Sequence, residues 1–211
     1  MSIYKTLKIT IRDYKPEDHP QVAKLSATSF RKDWNKLVKL PDNDMALFLI
    51  DVGEVMPYPF KGYLVAENEG EIVGVMILKW AKQKVPKTKF KLSKVVPYGL
   101  YTTVKLIAMR YLFPENPKKG VCHVAELAVI PGAQRKGIGT KLIAYGREMA
   151  QKQGLAKYAL HVDAENEPAL KLYEKMGFRL VKKKKHILAR WLLGIKEWYF
   201  MSQDIDAVTT H

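Results

Sequence analysis

The chain predicts a mixed α/β sheet flanked by helices, and three observations carry that prediction. Seven short apolar or alternating runs read as strands, at residues 7–12, 62–67, 72–78, 121–130, 157–162, 178–181 and 197–202. Ile138, Leu142, Tyr145 and Met149 recur at i, i+4, i+7 and i+11, which marks residues 136–153 as an amphipathic helix. The third observation is order: strand and helix patterns alternate through the second half of the chain.

Each element has a local reason. Residues 7–12 alternate at period two, and Pro16, Glu17 and Asp18 then open a helix that runs to about residue 30. Asp42, Asn43 and Asp44 suit the start of a short helix ending near Val52, and Pro57 and Pro59 stop what precedes them. Asn68-Glu69-Gly70-Glu71 separates two β-branched runs and predicts a hairpin. The stretch 100–113 is amphipathic and predicts a helix. Gly154 ends the 136–153 helix, and Asn166-Glu167-Pro168 begins another that stops at Gly177. Residues 186–195 connect the last two strands.

At 211 residues, with 47% apolar and 27% charged residues, the chain suits one domain with a sizeable core, residues 1–211. Residues 80–120 differ in composition. They are Lys-rich and broken by Pro86, Pro97, Pro114 and Pro117, and they read as an insertion too short to bury a core of its own. From Lys79 to Gly120 there are eleven basic residues against one acid, Glu115, and the formal net charge of the whole chain is +15. This distribution points to an anionic partner: an acidic substrate, a membrane surface, nucleic acid or a phosphorylated ligand. The aromatic residues Tyr98, Tyr101, Tyr111 and Phe113 among the lysines suit a membrane surface or single-stranded nucleic acid. Solvated charge is the plainer explanation of such runs. A single cysteine, Cys122, rules out an internal disulfide. With no apolar h-region near the start and no run of about 18 apolar residues, a cytoplasmic protein is expected, peripheral at a membrane if the basic segment engages one.

The chemistry centres on Gln134-Arg135-Lys136-Gly137-Ile138-Gly139-Thr140, which follows a strand and opens a helix. Two glycines one residue apart permit close approach of a ligand to the backbone. The first N–H groups of the helix and the positive end of its dipole favour phosphate or pyrophosphate. Arg135 and Lys136 add charge. A Walker loop would place Lys and Ser or Thr after Gly132 and Gly137, where Ile138 and Gly139 stand; a dinucleotide fingerprint from Gly137 would need Gly or Ala where Leu142 stands. Both alternatives fail on spacing.

Gln134, Gly137 and Gly139 match the Q/R-x-x-G-x-G/A pyrophosphate signature of the GCN5-related N-acetyltransferase superfamily, which this chain resembles. Glu126-Leu127-Ala128-Val129 with Pro131, Asn166-Glu167-Pro168-Ala169, and Leu172-Tyr173-Glu174-Lys175-Met176-Gly177-Phe178 stand at the matching places, so the match covers about 55 residues. The resemblance implies the GNAT fold, a mixed, mostly antiparallel sheet of about seven strands, with the basic insertion between strands three and four. It implies acetyl-CoA as co-substrate. Acetyl-CoA would lie in a wedge where strand four leaves strand five at a bulge. The backbone of Leu127, Ala128 and Val129 would hold the acetyl and pantetheine groups, residues 134–140 the pyrophosphate, and Asn166 the pantetheine arm or the loop around it. Tyr173 would stand near the sulfur as general acid. Transfer would run directly to a primary amine (a small molecule, a protein N-terminus or a lysine) in a ternary complex. Homodimers are common in this superfamily.

The amine must lose a proton to a group of near-neutral pKa, directly or through water. His123 and Glu126, both on the 121–130 strand, are candidate bases. Three positions apart on a regular strand, they are expected on opposite faces, so that only one enters a given cleft. Their plainer readings are a hydrogen-bonded core histidine and a structural carboxylate; for Tyr173 it is packing with Ala169 and Met176. Cys122 points away from His123 on a strand, which argues against a Cys–His nucleophile. No His/Cys cluster has metal spacing. A non-catalytic acyl-CoA-binding module, and a surface binder using the basic segment, are the alternatives to an enzyme.

Overall fold

In a computed structural model, residues 8–86, 92–112, 117–185, 190 and 196–205 are described. The strands are β1 (Ile9–Asp13), β2 (Tyr63–Asn68), β3 (Glu71–Trp80), β4 (Val121–Val129), β5 (Lys157–Asp163), β6 (Arg179–Lys184) and β7 (Trp198–Asp204). The helices are α1 (His19–Ser29), α2 (Arg31–Trp34), α3 (Asp42–Asp51), α4 (Leu92–Val95), α5 (Leu100–Leu112), α6 (Ile138–Lys152) and α7 (Glu167–Lys175). All seven predicted strands form; the one predicted at 178–181 runs on to Lys184. The connection at 186–195 lies outside the described residues apart from Arg190. The short helices α2 and α4 are too brief to leave a periodic signal.

The sheet order is β1-β2-β3-β4-β5-β7-β6. Every neighbouring pair is antiparallel except β4 and β5. The β2–β3 turn has positive φ at both central residues, Glu69 and Gly70, as a tight two-residue hairpin requires.

Alternation along the strands feeds two cores. Val65, Val75 and Ile77 pack with Val22 and Leu25 of α1 and Phe48 and Leu49 of α3. Leu64, Met76 and Leu78 pack with Ile138, Leu142 and Ile143 of α6 on the other face. At Gly146 of α6 a Cβ would come within 2.5 Å of both Met76 Cε and the Tyr158 hydroxyl, so any side chain there would push these two aside. The segment between β3 and β4 is anchored to the first core, where Val95 and Leu106 are buried, and Lys105 Nζ donates to the Lys36 carbonyl at 2.7 Å.

The position of α1 is set from β1. Both terminal nitrogens of Arg12 donate to the Asp18 carboxylate at 2.7 and 2.8 Å, its Nε donates to Glu67 at 2.6 Å, and the Lys15 amide also donates to Asp18. Burial pushes the Asp18 carboxyl up, but these donors outweigh it and hold its pKa below the ordinary value. No described helix is long and apolar enough to cross a membrane.

Candidate functional site

β4 pairs with β5 in parallel only from Val121↔Lys157 to Val124↔Leu160. β5 then continues against β7 as far as Asp163, while β4 stays with β3 as far as Val129. Residues 125–129 therefore lose their ladder partner on the β5 side, and a wedge opens between the two strands. A cleft of about 2410 Å³ occupies it and extends from the 134–140 loop past β4 to β6.

The β3–β4 register contains a bulge. Ile77 lies opposite Glu126 and Leu78 opposite Val124, so Ala125 is the extra residue. One inserted residue reverses the parity of the strand. Lys79, opposite His123, and Ile77, opposite Glu126, share a face, and so His123 and Glu126 share that face too. The expectation that they point to opposite sides of the sheet is thereby corrected. Both line the cleft. Cys122 is fully buried in the other core, where burial pushes its thiol up to about 12.

Glu126 Oε1 accepts a 2.8 Å hydrogen bond from Ser26 Oγ of α1. Burial pushes its carboxyl up to about 7, against the lowering effect of that bond. His123 Nε2 lies 2.9 Å from Nδ1 of His161 on β5, and His161 Nε2 lies 3.4 Å from Lys184 Nζ on β6. An ammonium can only donate, so the protons are ordered along this chain. Lys184 donates to His161 Nε2, and His161 Nδ1–H donates to His123 Nε2, which leaves the proton of His123 on Nδ1. Burial, then the neighbouring His161 and the lysines, push His123 down to about 4; burial and Lys184 do the same to His161. Both rings are neutral at pH 7. The accepting nitrogen of His123 is occupied, and Glu126 is the group on this face whose protonation changes near neutrality.

At the other end of the cleft, Arg135 and Gly137 both take positive φ, and Gly137 stands at the N-cap of α6. The N–H groups of Ile138, Gly139 and Thr140 begin the helix and have no acceptor within it. Gln134 Nε2 donates to the Val129 carbonyl and Lys136 Nζ to the Gly132 carbonyl, which ties the loop to the end of β4. At Gly139 a Cβ would meet Leu172 Cδ2 of α7 at 3.2 Å, so the loop is closed down against α7. The side chain of Ile138 turns into the core. Asn166 caps α7 by accepting from the Ala169 amide at 3.2 Å and also lines the cleft. Tyr173 reaches the cleft from α7; burial pushes its phenol up to about 12, so it is protonated at neutral pH. The described residues contain no group of three His, Cys, Asp or Glu able to hold a metal.

Residues 20–178 match the acetyltransferase (GNAT) family. The chain belongs to that family. An N-alpha-acetyltransferase of Sulfurisphaera tokodaii is 28% identical over 180 residues, 85% of either protein. The mycothiol acetyltransferase of Streptomyces avermitilis is 41% identical over 63 residues, which are 30% of this chain but only 20% of that protein. Among solved structures, PaiA N-acetyltransferase from Thermoplasma acidophilum in complex with coenzyme A superposes with TM-score 0.56, at 13% identity over 94% of this chain and 99% of that one. The acetyltransferase of the GNAT family from Streptococcus pneumoniae gives 0.56, at 18% identity over 94% and 100%. The sheet with its flanking helices is the GNAT fold, and the family is one of acetyltransferases.

Ser26, His161 and Lys184 escape the motif reading. Ser26 comes from a helix 100 residues before Glu126, and nothing local marks it. His161 had a usable signal: it is a polar residue within a strand predicted next to the wedge.

Proposed function

We propose that the protein transfers an acetyl group from acetyl-CoA directly to a primary amine, with both substrates bound at once in the cleft. The observation that carries this reading is the bulge at Ala125. It sets Glu126, with its near-neutral carboxyl, and His123 together on the cleft face, where β4 parts from β5. The residues fit the donor. The glycine loop leaves N–H groups at the start of α6 for a pyrophosphate, and the unpaired edge of residues 125–129 suits the amides of a pantetheine arm. Acetyl-CoA supplies the thioester.

Glu126 takes the proton of the incoming ammonium, directly or through water, and the freed amine attacks the thioester carbonyl. His123 offers its Nδ1–H as a donor at that face and is held in place by His161. Tyr173 gives its phenolic proton to the departing thiolate, and the second proton shed by the attacking nitrogen, directly or through water, restores the phenol. The match to an N-alpha-acetyltransferase over 85% of either chain supports an amine acceptor. The test is thiol release from acetyl-CoA by the purified protein with a panel of small amines, peptide N-termini and lysine side chains. Acetyl-CoA binding without turnover on any amine would reduce the protein to a binding module.

A further inference from the structure

The acceptor end of the cleft carries a charge pattern that acetyl transfer does not require. Lys182 on β6 lies opposite Phe200 on β7, which lies opposite His161 on β5; Lys184 lies opposite Trp198 in the next row. Cross-strand partners share a face, so Lys182 and Lys184 stand on the face of the two histidines, with Lys79 beside His123 on β3. Lys32 and Lys118 line the same cleft from other segments. Two of the nearby carboxylates are paired with other lysines. Asp33 pairs with Lys36, Glu165 with Lys196, and Asp163 accepts the Glu165 amide. Among the described residues no carboxylate pairs with Lys182 or Lys184. Asp163 shares this face, in the row of Lys184 and Trp198, and Glu126 lies deeper, on β4.

We infer that the acceptor is an amine carrying a carboxylate or phosphate close to the reacting nitrogen, its ammonium directed to Glu126 and its anionic group to the rim formed by Lys182 and Lys184. A rim in which lysines outnumber carboxylates, set above the deeper Glu126, complements a molecule with the opposite arrangement and disfavours acceptors with a second cation. The inference rests on the amine-transfer reading above and adds the acceptor's chemistry to it.

Thiol release measured on a matched panel tests it. The panel holds peptides with free N-termini that differ only in Glu, Ala or Lys at the second and third positions, together with glutamate, phosphoethanolamine and ethanolamine. Acidic peptides should exceed basic ones in kcat/KM by about tenfold, the equivalent of roughly 1.4 kcal/mol. Raising salt from roughly 50 to 500 mM should erode the difference. Lys182→Glu should shrink or invert it, while KM for acetyl-CoA serves as the internal reference. A lead for acidic peptides identifies a polypeptide acceptor, and a lead for glutamate or phosphoethanolamine a compact one with the same chemistry. Equal kcat/KM across acidic, neutral and basic acceptors overturns the inference and leaves amine transfer intact. If no amine in the panel is acetylated, both fall together.

Discussion

Ser26 Oγ donates to Glu126 Oε1 at 2.8 Å and so joins α1 to the bulged strand at the floor of the cleft. The bond favours the carboxylate, whereas burial favours the neutral acid and prevails, leaving the pKa at about 7. Removing the donor in Ser26→Ala should raise that pKa further. The acid limb of the kcat/KM–pH profile should move to higher pH by about half a unit or more, equivalent to roughly 0.7 kcal/mol. An unmoved limb would mean that Glu126 is not the titrating base.

Glu126→Gln removes the base altogether. Turnover should fall about 100-fold or more, with little change in KM for acetyl-CoA. Its effect on stability should have the opposite sign. The folded-state pKa is raised, so the stability of the native protein is complete below the ordinary carboxylate value and is lost as pH rises through about 7. Glu126→Gln should therefore raise Tm at pH 8 by more than at pH 5, which thermal melts at the two pH values will show.

The proton order along Lys184, His161 and His123 predicts a definite tautomer. Nitrogen-15 NMR at pH 7 should find His123 neutral, protonated at Nδ1 and bare at Nε2. His123 should stay neutral down to about pH 4. In His161→Phe the neighbouring ring charge is gone, so the His123 pKa should rise. Finding Nε2 protonated in the native protein would refute the ordering.

Gly139→Val tests the donor end. A side chain there runs into Leu172 and pushes the loop from α7. At a strain of about 1–3 kcal/mol, KM for acetyl-CoA should rise about tenfold while discrimination among amines persists.

Tyr173→Phe deletes the proton donor but keeps the packing against Phe178. Thiolate departure should slow and kcat should fall about tenfold or more; a variant with undiminished turnover would strip Tyr173 of its role.

The strands and α6 were legible in the sequence because period-two and period-3.6 patterns are local, and the 134–140 loop because its glycines answer a local backbone demand. The relation between His123 and Glu126 was not. It depends on Ala125 being skipped by β3, a property of the pairing rather than of the strand, and counting positions along a regular strand gave the wrong faces. Ser26 and His161 likewise became relevant only once α1 and β5 were laid beside β4. Asn166 illustrates a third case: the motif marked it for the donor, and the fold also uses it as a helix cap.

The rim lysines belong to β6, which closes one side of the sheet and has all six residues exposed, Leu180 and Val181 among them. An open strand of this kind invites a second molecule to add to it, and a row of lysines is one way a protein discourages such self-association. Lys182, Lys183 and Lys184 thus repel another copy of the chain with the same charge that would attract an acidic acceptor. Redesigning the rim for neutral or basic amines carries a colloidal penalty, which sedimentation of the variants at rising concentration would expose before any assay did.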